Sequence, residues 1–246
     1  NCYMKRYGLI GFPLTHSLSQ QYFTKKFIEE GIENCVYERF SIPSITDLHD
    51  ILTMHPDLCG FNITIPYKKE ILAFLTERSK AVEEVGACNC VKIESGKLIG
   101  YNTDVIGFEN SLIPFLKPSH NRALVLGTGG AALAIVYVLQ KLGIEFSYVS
   151  RTATIGQFSY NDLDASVMAS HTLIINTTPL GMFPNIEDCP AIPYDLLTPE
   201  HHLFDLTYNP AASTFLTKGK QMGATIQNGQ QMFVEQAEQS WRIWNS

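Results

Sequence analysis

The sequence predicts an α/β protein built from two domains. Short apolar strands alternate with amphipathic helices along the whole chain, an order typical of sheets covered by helices. From Arg122 onward the strands become almost continuously apolar and one helix is apolar nearly all round, as expected for a parallel sheet covered on both faces. With 246 residues, 45% of them hydrophobic, the chain can bury two modest cores.

The first domain is predicted from strand and helix patterns in alternation. These are a strand at 6–11, a helix at 17–31, strands at 35–42 and 60–66, and a helix at 67–75. Residues 86–104 alternate as a hairpin that turns at Ser95 and Gly96, and a helix resumes from about residue 105. We therefore expect the first lobe to end near residue 104.

The second domain is predicted to be a doubly wound βα series. It begins with the strand and glycine turn of "RALVLGTGG" and continues with short strands at 145–151, 171–178, 201–208 and 223–229. A last helix begins near Gly229 and is expected to return to the first lobe. The predicted domains are therefore 1–104, completed by 227–246, and 105–226, with a cleft between them.

Charge and composition exclude several classes of protein. Eighteen Lys and Arg against 24 Asp and Glu give a net charge of −6 without a basic run, which argues against nucleic-acid and anionic-membrane partners. No apolar stretch is long enough to span a bilayer or to form a signal-peptide core. The six cysteines fit neither a zinc nor a redox spacing and indicate reduced thiols. We expect a cytoplasmic protein that binds a small molecule.

A glycine turn follows the strand that begins at residue 122. In "GTGGAA", Gly127, Gly129 and Ala132 fit the G-x-G-x-x-A pattern, which places bare backbone amides at a helix start where a pyrophosphate binds. The next strand runs into "SRT", where NAD enzymes usually carry an acidic residue. Arg151 can pair there with a 2′-phosphate. The turn predicts a Rossmann-type NADP site, with NAD possible; the alternative is that Arg151 is a solvated loop cation.

Lys68 occupies an unusual position for a lysine. Lys68 stands at a predicted helix start, where a positive charge is mildly unfavourable, so a chemical role is a reasonable explanation. From spacing alone, however, Lys68 and Asp104, far apart in sequence, are interpreted as two surface charges.

A series of short motifs together resembles the shikimate dehydrogenase family and its quinate/shikimate relatives. In order they are HSLSQ (16–20), FNITIPYK (61–68), GACN (86–89), NTD (102–104), GTGGAA (127–132), SRT (150–152), NTTPLGM (176–182), DLTY (205–208) and NGQQMFVEQA (228–237). The likeness covers nearly the whole chain. It implies the reversible reduction of 3-dehydroshikimate to shikimate with NADPH, in the biosynthesis of chorismate and the aromatic amino acids.

The resemblance also implies the roles of individual residues. Lys68 and Asp104 would be the catalytic pair: the ammonium stabilises charge developing on the carbonyl oxygen and passes the proton, and the carboxylate holds it in place. Neutral donors must bind the substrate carboxylate, because the first-lobe motifs contain no arginine. The implied substrate contacts are Ser17, Ser19, Thr64, Asn89, Tyr208 and Gln236. The implied cofactor contacts are Gly127, Thr128, Gly129, Gly130, Ala131, Ser150, Arg151, Thr152, Thr177, Leu206 and Gly229.

The sequence departs from the family pattern at several places. Gln20 replaces a proline, Val105 a glycine and Leu206 a methionine, and Ile155 stands near the place of a second basic residue. Met4 is expected to be the natural start, after Asn1–Tyr3, and a further C-terminal helix is expected to be absent after Trp244.

Other interpretations remain open at this point. The rivals are an NAD-preferring quinate/shikimate dehydrogenase, a non-catalytic ligand-binding protein on the same scaffold, and a folate-type dehydrogenase, which would not explain the paired serines. His201 and His202 lack partners at metal-binding spacing, so no metal site is predicted. Either a monomer or a homodimer is compatible with the sequence.

Overall fold

The structure is a computed structural model that describes residues 3–246, so the expectations for Asn1 and Cys2 lie outside it. The chain divides into a first unit, Asn1–Thr103 with Ala237–Ser246, and a second unit, Asp104–Gln236. The last helix returns to the first unit at Ala237, later than the predicted residue 227. Its first turns stay with the second unit because Met232 belongs to the core of that unit.

The first unit is a mixed sheet with three helices among its described residues. Strand order is β2-β1-β3-β5-β6-β4; β1 is parallel to β2 and β3, and β5 is antiparallel to β3 and β6. We call the edge where β1, β3 and β6 end and β5 begins the first edge. The strands are β1 Lys5–Gly11, β2 Cys35–Ser41, β3 Leu58–Ile63, β4 Glu77–Arg78, β5 Cys90–Glu94 and β6 Lys97–Tyr101, and the helices are α1 Leu18–Glu29, α2 Leu48–Met54 and α3 Lys80–Val85.

The second unit is a parallel sheet of order β11-β10-β9-β7-β8. Counted within the unit this is 2-1-3-4-5, a doubly wound order in which ligands bind where the first and third strands end. We call the edge where all these strands end the second edge. The strands are β7 Arg122–Leu126, β8 Glu145–Val149, β9 Leu173–Asn176, β10 His202–Asp205 and β11 Thr225–Gln227. The helices are α4 Asp104–Leu112, α5 Gly130–Lys141, α6 Ala165–Ser170 and α7 Thr214–Gln221, with the first turns of α8 Gln230–Trp244, which ends in the first unit.

Both faces of the second sheet are buried, which confirms the interpretation of the apolar strands. Along β7, Ala123 and Val125 face one apolar cluster, whereas Leu124 and Leu126 face another. Alternate residues therefore serve opposite cores, as in sheets covered by helices on both sides. The predicted α/β class with a doubly wound second domain is confirmed. No helix among residues 3–246 combines the length and the apolar character needed to cross a membrane.

The predicted helix over 67–75 is wrong. An α-helix starting there would need the Lys68 carbonyl to accept the N–H of Leu72. Instead that carbonyl accepts the N–H of Cys88 at 2.8 Å, and Leu72 donates to Lys69. Only a 3₁₀ turn over Glu70–Phe74 forms, so Lys68 lies in the loop between β3 and that turn.

Polar side chains at the second edge end two strands earlier than predicted. The strand predicted over 171–178 stops at Asn176, whose side-chain oxygen accepts the N–H of Thr178 at 3.0 Å. The strand predicted over 201–208 stops at Asp205, which accepts the N–H of Thr207 at 3.0 Å. Such Asx turns bend the backbone away from strand geometry.

The hairpin turn at Ser95 and Gly96 is confirmed. Both residues have positive φ, 51° and 76°, between β5 and β6. This is the backbone twist that a two-residue hairpin loop requires.

The end of α8 completes the core of the first unit. Trp244 stacks on Tyr7 with ring centroids 4.8 Å apart, and its indole N–H donates to the Val91 carbonyl at 3.0 Å. A Cβ at Gly60 would lie 2.3 Å from the Trp244 indole nitrogen, so any side chain at this position would clash with the ring. The C-terminal segment therefore covers one face of the first sheet.

We expect Trp244→Ala to lower the free energy of unfolding by about 3–5 kcal/mol, because it removes a buried ring and leaves a cavity. Urea unfolding of the two proteins measures the difference. A loss below about 1 kcal/mol would mean that α8 does not support the first unit as described.

Candidate functional site

The first edge brings together three residues that the sequence singled out. Thr64 follows β3, and the N–H of its neighbour Ile63 donates to the Asn89 carbonyl at 2.9 Å. Lys68 is fixed by the bond from the Cys88 N–H to its own carbonyl. Because β3 ends where β5 begins, these loops meet at one place in the first unit.

Ser17 and Ser19 lie at the start of α1 and differ in their bonding. Ser17 is the N-cap residue, and its hydroxyl oxygen accepts the N–H of Gln20 at 3.0 Å. That bond leaves the hydroxyl hydrogen of Ser17 to donate elsewhere. Ser19 lies near the buried Tyr37 hydroxyl: burial raises the Tyr37 pKa well above its ordinary value, and the Ser19 hydroxyl opposes that rise. Capping and ligand binding are therefore compatible roles for Ser17.

A buried polar chain behind the first edge was not predicted from the sequence. The Tyr37 hydroxyl donates to the side-chain oxygen of Asn62 at 2.9 Å. The Asn62 amide donates to the Asn89 carbonyl at 3.2 Å and to Ser240 at 2.9 Å. The available signal was a single amide inside the otherwise apolar strand "GFNI", because a buried polar side chain needs internal partners.

Asn89 and Thr103 hold each other in place. The Thr103 N–H donates to the Asn89 side-chain oxygen at 2.7 Å, and the Asn89 amide donates to the Thr103 hydroxyl at 2.9 Å. Both residues are buried. The orientation of the Asn89 side chain is therefore fixed by the NTD motif.

The proposed catalytic partners belong to different units. Lys68 lies in the first unit, whereas Asp104 begins α4 and is the first residue of the second unit. Their pairing stays a prediction. Tyr208 and Gln236 also belong to the second unit; the Tyr208 ring lies 5.0 Å from that of Phe233, centroid to centroid.

The glycine turn at the second edge has the geometry of a ligand cradle. Gly127 has a φ of 102°, and a Cβ there would lie 2.7 Å from the Thr177 hydroxyl oxygen. Gly129 is the N-cap of α5, and a Cβ at this position would meet no atom within 4 Å. The exposed Thr128 and the first α5 residues, Gly130 and Ala131, therefore leave helix-start amides open to a close anionic ligand.

Thr177, Leu206 and Gly229 lie at the ends of β9, β10 and β11, on the same edge. The Thr177 hydroxyl donates to the Leu126 carbonyl at 2.6 Å. A Cβ at Gly229 would lie 1.9 Å from the Leu206 carbonyl oxygen, so only glycine fits there. These three candidates and the glycine turn thus lie at one edge of the sheet, the edge where doubly wound sheets bind ligands.

The loop after β8 carries Ser150, Arg151 and Thr152. The Ser150 N–H donates to the Phe158 carbonyl at 3.0 Å, and the Ser150 hydroxyl accepts the N–H of Thr152 at 3.3 Å. Burial raises the pKa of the Tyr160 hydroxyl and the nearby Arg151 charge opposes that rise. Arg151 is thus an exposed cation on an anchored loop. Among residues 3–246, no group of three or more His, Cys, Asp or Glu side chains is arranged to hold a metal ion.

Comparison with known proteins agrees with this geometry. The profile of the shikimate dehydrogenase substrate binding domain matches residues 9–91. The chain is 35% identical to a protein of Caldicellulosiruptor saccharolyticus named shikimate dehydrogenase (NADP(+)), over 98% of this chain and 92% of the relative. The chain belongs to the shikimate dehydrogenase family.

Solved structures of the family have the same fold. Shikimate dehydrogenase from Aquifex aeolicus superposes with a TM-score of 0.86 at 32% identity, covering 98% of this chain and 92% of that chain. Shikimate 5-dehydrogenase from Thermus thermophilus, in complex with NADP(H) and shikimate, gives 0.85 at 29% identity, with 98% and 93% covered. The two-domain family architecture thus extends over nearly the whole chain.

We expect Thr103→Val to lower the free energy of unfolding by about 1–3 kcal/mol, because it leaves the buried Asn89 amide without its acceptor while keeping the side-chain shape. Thr103→Ser, which retains the hydroxyl, serves as the control. Equal stabilities of the valine and wild-type proteins in urea would show that the Asn89–Thr103 pair contributes nothing.

Proposed function

We propose that this chain catalyses the NADP-linked interconversion of 3-dehydroshikimate and shikimate. The observation that carries the proposal is the open glycine turn at the start of α5, with Thr177 packed beside it at the second edge. Family membership supplies the substrate class, and the neutral donors at the first edge suit an acid that carries ring hydroxyls.

The described residues fit the dinucleotide. Gly127–Ala131 would hold the pyrophosphate on backbone amides, and Arg151 would pair with the 2′-phosphate. Thr177, Leu206 and Gly229 would border the nicotinamide. When bound, the cofactor supplies or accepts the hydride.

Lys68 would act on the reacting oxygen. In the direction of reduction, its ammonium donates a proton to the oxygen on which negative charge develops, and in oxidation the amine takes that proton back. Asp104 would hold the ammonium and a neighbouring substrate hydroxyl, which fixes the geometry of the transfer. Ser17, Ser19, Thr64, Asn89, Tyr208 and Gln236 would bind the acid and its hydroxyls.

We place this activity in the cytoplasm, as a monomer or a homodimer. The five described cysteines, Cys35, Cys59, Cys88, Cys90 and Cys189, are free thiols, which suits a reducing compartment.

Purified protein should reduce NADP⁺ when shikimate is added, with growth of the reduced-nicotinamide absorbance band. The same assay with quinate, and with NAD⁺ in place of NADP⁺, identifies the preferred pairing. Absence of shikimate-dependent turnover would contradict the proposal, and faster turnover with quinate and NAD⁺ would assign the related quinate activity instead.

Lys68→Ala should lower kcat by about 10²–10⁴-fold, the usual contribution of a positioned proton donor, with a much smaller change in KM for shikimate. Lys69→Ala is the matched control, since this neighbouring lysine is exposed and outside the motif's proposed chemistry. Similar rates for the two variants would remove Lys68 from the mechanism.

A further inference from the structure

Asp205 is a buried carboxylate at the end of β10. Its Oδ1 accepts the side-chain N–H of Asn176 at 3.2 Å and the backbone N–H of Thr207 at 3.0 Å, and its Oδ2 accepts the Ser213 hydroxyl at 2.6 Å. These three donors, an amide, a backbone N–H and a hydroxyl, are all uncharged. Asp205 and Asn176 are both fully buried.

A carboxylate in this environment is costly for stability. Burial raises the Asp205 pKa to about 6, although the hydrogen bonds from Ser213, Thr207 and Asn176 oppose the rise. An apolar side chain of similar size would avoid the cost of burying a polar group. The hydrogen-bonding side chain thus needs an explanation beyond filling space.

Asn176 organises the segment after β9. Its side-chain oxygen accepts both the N–H and the hydroxyl of Thr178, at 3.0 and 2.7 Å. Its amide also lies 3.4 Å from the Leu180 carbonyl. The backbone that follows Thr177 is therefore held by one side chain.

Asp205 organises the segments after β10 and β11 in the same way. It holds the Thr207 N–H, and the Thr207 carbonyl in turn accepts the N–H of Gly229 at 3.2 Å. The Leu206 N–H donates to the Asn176 carbonyl at 3.1 Å. A single chain of bonds, Asn176–Asp205–Thr207–Gly229, thus ties together the segments that carry Thr177, Leu206 and Gly229.

We propose that Asp205 and Asn176 form a clamp that positions the nicotinamide side of the cofactor site. Neither side chain needs to touch the cofactor, so both are positioning residues. The inference rests on the proposed NADP-dependent function. It deepens that function by assigning residues that hold the three bordering segments in one arrangement before the cofactor binds, which reduces the ordering cost of binding.

The test compares cofactor binding with substrate binding. We expect Asp205→Ala and Asn176→Ala each to raise the Kd of NADPH about tenfold, as measured by NADPH fluorescence. A tenfold change corresponds to the net free energy of one to two hydrogen bonds. The KM for shikimate at saturating NADP⁺ should change less than about twofold. Because the two residues act through one bond chain, the double variant should bind NADPH little worse than either single variant.

Asp205→Asn and Thr172→Val separate positioning from stability. Asp205→Asn retains the Oδ1 acceptor for Asn176 and Thr207 and should restore the NADPH Kd to within about threefold of wild type. Thr172→Val deletes a nearly buried hydroxyl bonded to the Ser119 carbonyl at 2.7 Å, at the opposite end of β9, and should lower the urea midpoint without weakening NADPH binding.

The outcomes are distinguishable. If Asp205→Ala does not fold, Asn176→Ala alone decides the matter. NADPH binding weakened no more than in Thr172→Val, or NADPH and shikimate binding weakened equally, would overturn the clamp. A wild-type protein that binds no NADPH would instead refute the proposed function itself.

Discussion

The pairing of parallel strands is the constraint on which the remaining structure depends. In the first sheet β1 and β3 run side by side, and in the second sheet β7, β9, β10 and β11 do the same. Parallel neighbouring strands end at the same edge of the sheet, so the direction of the strands is enough to bring together loops that are distant in sequence. Gly127 and Thr177 come together at the second edge in this way. Thr64 and Asn89 meet at the first edge for a related reason, because the antiparallel strand β5 begins where β3 ends.

Polar side chains inside apolar strands then convert these edges into fixed sites. Asn62, Asn176 and Asp205 each interrupt a run of buried apolar residues, and each has its hydrogen bonds satisfied within its own unit. A satisfied buried polar group adds little net stability, but a displaced one costs the full desolvation penalty. Such groups therefore stabilise one loop conformation relative to the alternative conformations, as a site with several ligand contacts requires.

The sequence was sufficient where local chemistry decides the structure. The hairpin turn at Ser95 and Gly96, the glycine turn at Gly127 and the alternating burial along β7 all follow from residue type and spacing. Prediction failed where a distant partner decides. The predicted helix over 67–75 does not form, because the Cys88 N–H binds the Lys68 carbonyl that the helix would need. The first turns of α8 belong to the second unit, because Met232 packs in the core of that unit. The supporting residues Tyr37, Asn62 and Asp205 were missed for the same reason, since their partners lie on other strands and helices.

The hydrogen-bond directions at the first edge make its two serines unequal. The Asn89 carbonyl can only accept, so it fixes the Asn62 amide nitrogen toward itself and the Asn62 oxygen toward Tyr37. Tyr37 must then donate to Asn62, so its own oxygen is left as an acceptor, and Ser19 is the hydroxyl that lies near it. The Ser17 hydroxyl can still donate its hydrogen, because its cap bond to Gln20 uses only a lone pair of the oxygen. A carboxylate also only accepts, so the substrate acid proposed above would find at Ser17 a donor that the cap bond does not occupy.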